Sequence, residues 1–142
     1  MTRKVRFRGF DLDSKGWIVG GSLLRKEAVY NKGKLIERGT DYIATGIQYN
    51  DLDLHIVDAT SVGQYVGQSD IEGTDIYEDD ILTSFTGRNY AVYYNHFKSA
   101  FCLRTQNPEQ PDEPLTKELV EKLKLKVAGN MYENQGLMKL AM

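Results

Sequence analysis

Ser61-Val62-Gly63-Gln64-Tyr65-Val66-Gly67-Gln68-Ser69-Asp70-Ile71-Glu72-Gly73-Thr74-Asp75-Ile76-Tyr77-Glu78-Asp79-Asp80-Ile81-Leu82 is the most patterned stretch of the chain. Gln64-Tyr65-Val66 predicts a short strand, and Ser69 to Asp75 a polar loop with Glu72-Gly73 at its tip. Ile81 to Phe85 predicts a strand with Ile81, Thr83 and Phe85 on one face, because successive strand side chains alternate. Thr86-Gly87-Arg88-Asn89 turns that strand back. Tyr90 to Tyr94 and Ala100 to Arg104 then complete a three-stranded meander, the usual content of a small barrel or sandwich.

Upstream, Val5 to Phe10 alternates, with Val5 and Phe7 inward and Arg6 and Arg8 outward. Trp17-Ile18-Val19 returns as its hairpin partner. Ser22 to Glu37 suits a short helix or a hairpin, and Asn31 and Gly33 favour strands from Ala28 onward. Tyr42 to Tyr49 places Ile43, Thr45, Ile47 and Tyr49 on one face. Leu52 to Ile56 alternates, with the leucines and Ile56 inward and Asp53 and His55 outward.

Downstream, Pro108, Pro111 and Pro114 mark the clearest loop. Thr116 is placed to cap a helix, with Glu118 in its first turn. Leu115 and Val120 flank the cap as a hydrophobic staple, and Leu115, Leu119 and Leu123 share a face. Leu125 to Gly129 reads as a closing strand.

Composition bounds the function. The chain has 142 residues and 41% hydrophobic content, enough for one domain or two small lobes with a real core. The net charge of -2 argues against a general nucleic-acid binder, which needs clustered Lys and Arg. The single cysteine, Cys102, excludes an internal disulfide framework and a cysteine-based zinc site. No signal-peptide pattern follows the basic start, and no apolar run approaches the ~20 residues of a membrane span. The expectation is a soluble cytoplasmic protein with no membrane association.

Several clusters are candidates for chemistry. Asp51, Asp53, His55 and Asp58 could hold a hard cation or act as an acid/base pair, although alternation alone puts Asp53 and His55 on a solvent face. Glu78-Asp79-Asp80 places three carboxylates in a row, without the spacing of a calcium loop, where a turn is the simpler reading. Arg3, Lys4, Arg6 and Arg8 form a basic edge that could contact nucleic acid or guard a strand edge. Tyr90, Tyr93, Tyr94, His96 and Phe97 bring aromatic density that serves core and interface alike. Cys102 carries no nucleophile signature. The sequence has no GxSxG, P-loop or GxGxxG motif and calls for no cofactor.

Three ordered motifs resemble the YopX family of phage and prophage proteins. Gln64-Tyr65-Val66-Gly67, a loop carrying Gly73, and Ile76-Tyr77-Glu78-Asp79-Asp80-Ile81 are similar to Gln-Tyr-Thr-Gly, a loop, and Ile-Tyr-Glu-Gly-Asp-Ile. Phe7-Arg8-Gly9-Phe10-Asp11 resembles Phe-Arg-Ala-Trp-Asp, and Gly129-Asn130-Met131-Tyr132-Glu133-Asn134 resembles Gly-Asn-Ile-Tyr-Glu-Asn. Asp79 stands at the family glycine, Val66 at the threonine, and Gln135 where a proline usually follows. If the glycine position needs positive φ, Asp is among the few substitutes that tolerate it. The resemblance implies a self-associating protein inside a bacterial host, and no particular activity.

Together these features predict a mainly β protein with one C-terminal helix. Residues 1–60 form hairpins. Residues 61–142 form a small SH3-like barrel, from Gln64 to Tyr132, with a helix at about 116–125. The expected function is a non-enzymatic module that forms a homo-oligomer or binds a host or phage protein. Its expected surface is Gln64, Tyr65, Tyr77, Glu78, Asp80, Tyr132, Glu133 and Asn134. Alternatives are a nucleic-acid accessory protein using the basic edge and a metal-dependent enzyme using one of the acidic clusters.

Overall fold

Fourteen strands and one short helix build the protein among residues 4–48 and 51–139, which the computed structural model describes. The chain divides into two units, Met1–Gln64 and Tyr65–Met142. The protein is mainly β, as the strand alternation and turn residues predict.

In the first unit β1 (Phe7–Phe10) and β2 (Trp17–Gly20) form the expected hairpin. β3 (Ser22–Lys26), β4 (Val29–Asn31), β5 (Lys34–Glu37) and β6 (Thr40–Gln48) make one long interrupted hairpin: β3 pairs with β6 at its base and β4 with β5 at its end. Its tip is Lys32-Gly33, with φ 52° and 78°, the left-handed pair that a two-residue hairpin turn requires. β7 (Asp51–Val57) pairs with β6 on the other side, so β6 is the centre of a three-stranded sheet.

Two glycines let β1 and β2 come close to that sheet. A Cβ on Gly9 would sit 2.9 Å from Ile43 and Val57, and one on Gly20 would sit 2.1 Å from the Ala44 carbonyl oxygen. The packed face therefore carries Ile43 and Val57, both buried. This reverses the expected orientation of β7. His55 lies across from Ile43 on the packed side, and Leu54 and Ile56 point to the exposed side. The alternation was real, but it cannot say which face finds a partner.

β8 (Gly63–Ser69) starts in the first unit, where Gly63 and Gln64 pair with Arg8 and Phe7. Strand β1 is thus flanked on both sides and is not the sheet edge that the outward arginines suggested. Val5, expected inward, is exposed.

In the second unit β8 continues and pairs with β9 (Asp75–Tyr77). β10 (Asp80–Thr83), β11 (Asn89–Asn95) and β12 (Ala100–Thr105) form the expected meander. The two-residue β13 (Glu113–Pro114) pairs with β12. α1 (Lys117–Leu123) follows, and β14 (Lys126–Asn130) returns beside β10. The five-stranded order β13-β12-β11-β10-β14 makes a half-barrel sheet of the stretch from Gln64 to Tyr132 that was expected to form a small SH3-like barrel.

The helix forms where its cap predicts: the Thr116 hydroxyl accepts from the Leu119 N–H at 3.1 Å. Leu115 and Val120 are buried with Val66, Ile76, Leu82, Val92, Leu103 and Leu125 in one core. Val66, at the family's threonine, is a core residue here. Cys102 is also fully buried, so its thiol is sealed from reagents.

The Glu78-Asp79 turn joins β9 to β10, and Asp79 has φ 70°. The conditional reading of the family glycine therefore holds: the site is left-handed, and Asp pays a Cβ penalty that glycine escapes. Asp79→Gly is expected to raise the unfolding free energy by about 0.5–1 kcal/mol, and Asp79→Val to lower it by at least as much. Urea denaturation midpoints measure both. A destabilised glycine variant would show that the aspartate side chain matters more than the backbone.

Candidate functional site

The Ile76 to Ile81 and Gly129 to Asn134 motif segments meet in the second unit. Asp80 pairs with Asn130, and the Met131 N–H donates to the Asp79 carbonyl at 2.8 Å. The Asp80 carboxylate, 1% exposed, accepts from the Tyr77 N–H at 2.8 Å and closes the turn. Asn130 accepts from the Glu133 N–H at 2.8 Å, while the Asn134 side chain accepts from the Asn130 N–H at 3.1 Å. These polar residues are occupied in locking two turns together, which accounts for the motif by structure alone.

That geometry corrects part of the expected surface. Tyr77, 7% exposed, and Asp80 lie inside the fold and present nothing to a partner, because a buried ring and a turn-closing carboxylate face inward. Tyr65 is half-buried, tilted against the Tyr77 ring at 5.8 Å. Gln64, Glu78 and Tyr132 are half-buried; Glu133 and Asn134 are exposed.

The basic edge is also placed differently. Arg3 lies outside the described residues. Lys4 is exposed and Arg6 half-buried. The Arg8 guanidinium lies over the Trp17 ring at 5.0 Å, a cation–π contact on an interior strand.

His55 draws in residues that sequence proximity could not reveal. Its Nδ1 is 2.9 Å from the Asp11 carboxylate, and its Nε2 is 3.2 Å from Thr45 Oγ1 and 3.5 Å from Asp53. Asp11 also accepts from the Asp13 and Ser14 N–H groups. The backbone bond from Asp13 is the main cause that holds its carboxyl below the ordinary aspartate value; burial opposes it, and the Ser14 and His55 bonds add to it. The Thr45 hydroxyl also reaches the Asp53 carboxylate at 3.1 Å, so the imidazole sits between acids and is wired to tie β6 and β7 to the β1–β2 turn. Asp58 is not part of this group. It caps the following 3-10 turn by accepting from Thr60. The Asp51 side chain lies outside the described residues. Among those residues no group of three or more His, Cys, Asp or Glu is arranged to hold a metal ion.

What the sequence missed is apolar. Leu24, Tyr42 and Ile56 lie opposite one another across three strands, with Leu54 on the same face beside Ile56. Leu24, Leu54 and Ile56 are 41%, 44% and 38% exposed. At the β4–β5 end of the same hairpin Tyr30 and Leu35 are exposed on one face and Ile36 on the other. The alternation in the sequence marks Leu54 and Ile56 as one apolar face, but no sequence signal says that this face stays uncovered. In the second unit Phe85 and Phe97 are exposed, whereas Tyr93 is held by Asp112 and stacked under Arg104 at 4.3 Å.

The family model described as YopX protein matches residues 6–139. No curated protein matches the sequence. The crystal structure of protein EF1440 from Enterococcus faecalis is similar, with a TM-score of 0.53 and 19% identity, covering 97% of this chain and 100% of that one. At that identity the likeness concerns the fold. Among the described residues no helix is long and apolar enough to cross a membrane.

Proposed function

Because the chain belongs to the YopX protein family, we propose that it is a non-enzymatic interaction module of a phage or prophage, one that self-associates inside the host cell. The observation that carries the reading is the uncovered apolar sheet face of Leu24, Tyr42, Leu54 and Ile56. Contiguous exposed apolar patches rimmed by polar residues mark interaction sites, because water contact with them is costly. A second copy is the simplest cover. A two-fold axis can lay one such face on another and bury both at once. The Tyr30 and Leu35 face of the hairpin's end would add to the contact, since an isolated two-stranded ribbon gains little stability alone.

Analytical ultracentrifugation across two decades of concentration tests this. The wild type should sediment as a dimer or larger species, and Leu54→Lys/Ile56→Lys should sediment as a monomer with an unchanged circular dichroism spectrum. Leu54 and Ile56 are 44% and 38% exposed, so the lysine stems can lie along the sheet and carry their charges into water at small cost to the isolated fold. A monomeric wild type, or a double variant that still assembles, removes the support for this reading.

A further inference from the structure

The second unit contains a cleft of about 350 Å³ whose floor is Tyr90, Leu103, Leu119 and Leu123 and whose rim carries Arg88, Lys122 and Glu113. Its walls are fixed by backbone bonds. The Phe85 N–H donates to the Leu123 carbonyl at 3.0 Å, which draws the end of α1 against the β10–β11 turn that bears Arg88. Leu103 pairs with Glu113 across β12 and β13, and Lys98 Nζ donates to the Asp112 carbonyl at 2.9 Å, securing the proline-rich segment. Leu119 and Leu123 on the floor belong to the face of α1 that the sequence marks as apolar, and they are only partly buried against the core, whereas Leu103 on β12 is a core residue beneath them.

The rim is unbalanced. Neither the Arg88 guanidinium nor the Lys122 ammonium makes a hydrogen bond or ion pair among the described residues. Two cations against one carboxylate leave an excess of one positive charge over an apolar floor. At the C-terminal end of α1 the Leu123 and Val120 carbonyls accept from the Phe85 and Leu125 N–H groups. A smaller hollow of about 210 Å³ adjoins the cleft and shares Arg88, Tyr90, Thr105 and Gln110. Its far end is closed by the chain itself: Asn89 donates to the Leu137 carbonyl at 2.9 Å, and Gln106 to that of Lys139 at 3.0 Å.

We infer that this cleft binds a compact apolar group bearing one carboxylate, either a free small acid or the last residue of a peptide. The apolar body lies on Tyr90, Leu103, Leu119 and Leu123. The carboxylate meets Arg88, which can bond it through two N–H groups, with Lys122 as the second charge. The volume is at the small end for ligand clefts, which limits the ligand to about one aromatic or branched side chain.

Chemical-shift titration of the full chain tests the assignment with 3-phenylpropanoate, its uncharged amide 3-phenylpropanamide, and an acetylated tetrapeptide ending in leucine with a free carboxylate. The acids should give saturable shifts at the amides of Arg88, Tyr90, Leu119 and Lys122. The loss of charge in 3-phenylpropanamide, or Arg88→Ala/Lys122→Ala in the protein, should weaken binding about tenfold or more. The double variant removes two exposed side chains without partners, so its melting temperature should not move. A tighter peptide identifies a chain terminus as the source, and a tighter 3-phenylpropanoate identifies a free acid; both support the site. Equal binding of acid and amide, indifference to the double variant, or no saturable shift with either acid overturns it.

Discussion

Gly20→Ala should destabilise the first unit by about 3 kcal/mol or more, the severe end of overpacking. An ideal Cβ there lies 2.1 Å from the Ala44 carbonyl oxygen, 2.7 Å from Ile43 Cγ2 and 2.9 Å from the Ala44 carbonyl carbon. None of these can swing aside like the end of a flexible side chain. Ala44 is paired with Ser22 on one side and Leu54 on the other, so relief requires moving the central strand of the sheet. Gly21→Ala is the control, since a Cβ there meets nothing within 4 Å. Trp17, the only tryptophan, sits in the same strand as Gly20, so its fluorescence during urea unfolding reports on this unit. If the two alanine variants have matching midpoints, the close approach of β2 to β6 is wrong.

Asp70→Ala should have the largest effect in the second unit, a loss of about 2–4 kcal/mol, because several hydrogen bonds to a carboxylate go at once. Its Oδ1 accepts from the Glu72 and Thr74 N–H groups, both at 2.9 Å, and its Oδ2 from the Val127 N–H at 2.9 Å. The side chain is nearly buried, so water cannot fully replace it at Val127. Asp70→Asn keeps one acceptor oxygen for the loop and turns an NH₂ toward a donor, so it should recover only part of the loss. Thermal melting ranks the variants, and amide exchange at Val127 should accelerate in both. An unchanged exchange rate at Val127 would show that the carboxylate does not hold β14 to the loop.

Much of this architecture is legible locally. Asn31 and Gly33 announce the hairpin tip, and Thr116 announces the helix start. The Ile81 to Arg104 meander follows from strand alternation and its glycine turn. Each signal acts within a few residues, where backbone sterics and capping bonds decide the outcome. The sequence marks the Asp70 loop as polar but does not mark it as a clamp, because its third bond reaches a residue 57 positions away. His55 likewise looked like part of an acidic run, yet its closest carboxylate is Asp11, 44 positions distant.

The candidate surface shows the same division. Tyr77 and Asp80 stood out because the motif is patterned, and the pattern proves to be a turn lock. By sequence Leu54 and Ile56 face inward, because apolar alternation normally marks a packed face. What the sequence by itself determined is where the chain turns, which stretches extend, where the helix begins and which face of each strand is apolar. Only the tertiary structure decided which of those faces are covered. That choice depends on what packs against the sheet, and here Gly9 and Gly20 admit β1 and β2 to the face carrying Ile43 and Val57 and leave Leu24, Leu54 and Ile56 in water.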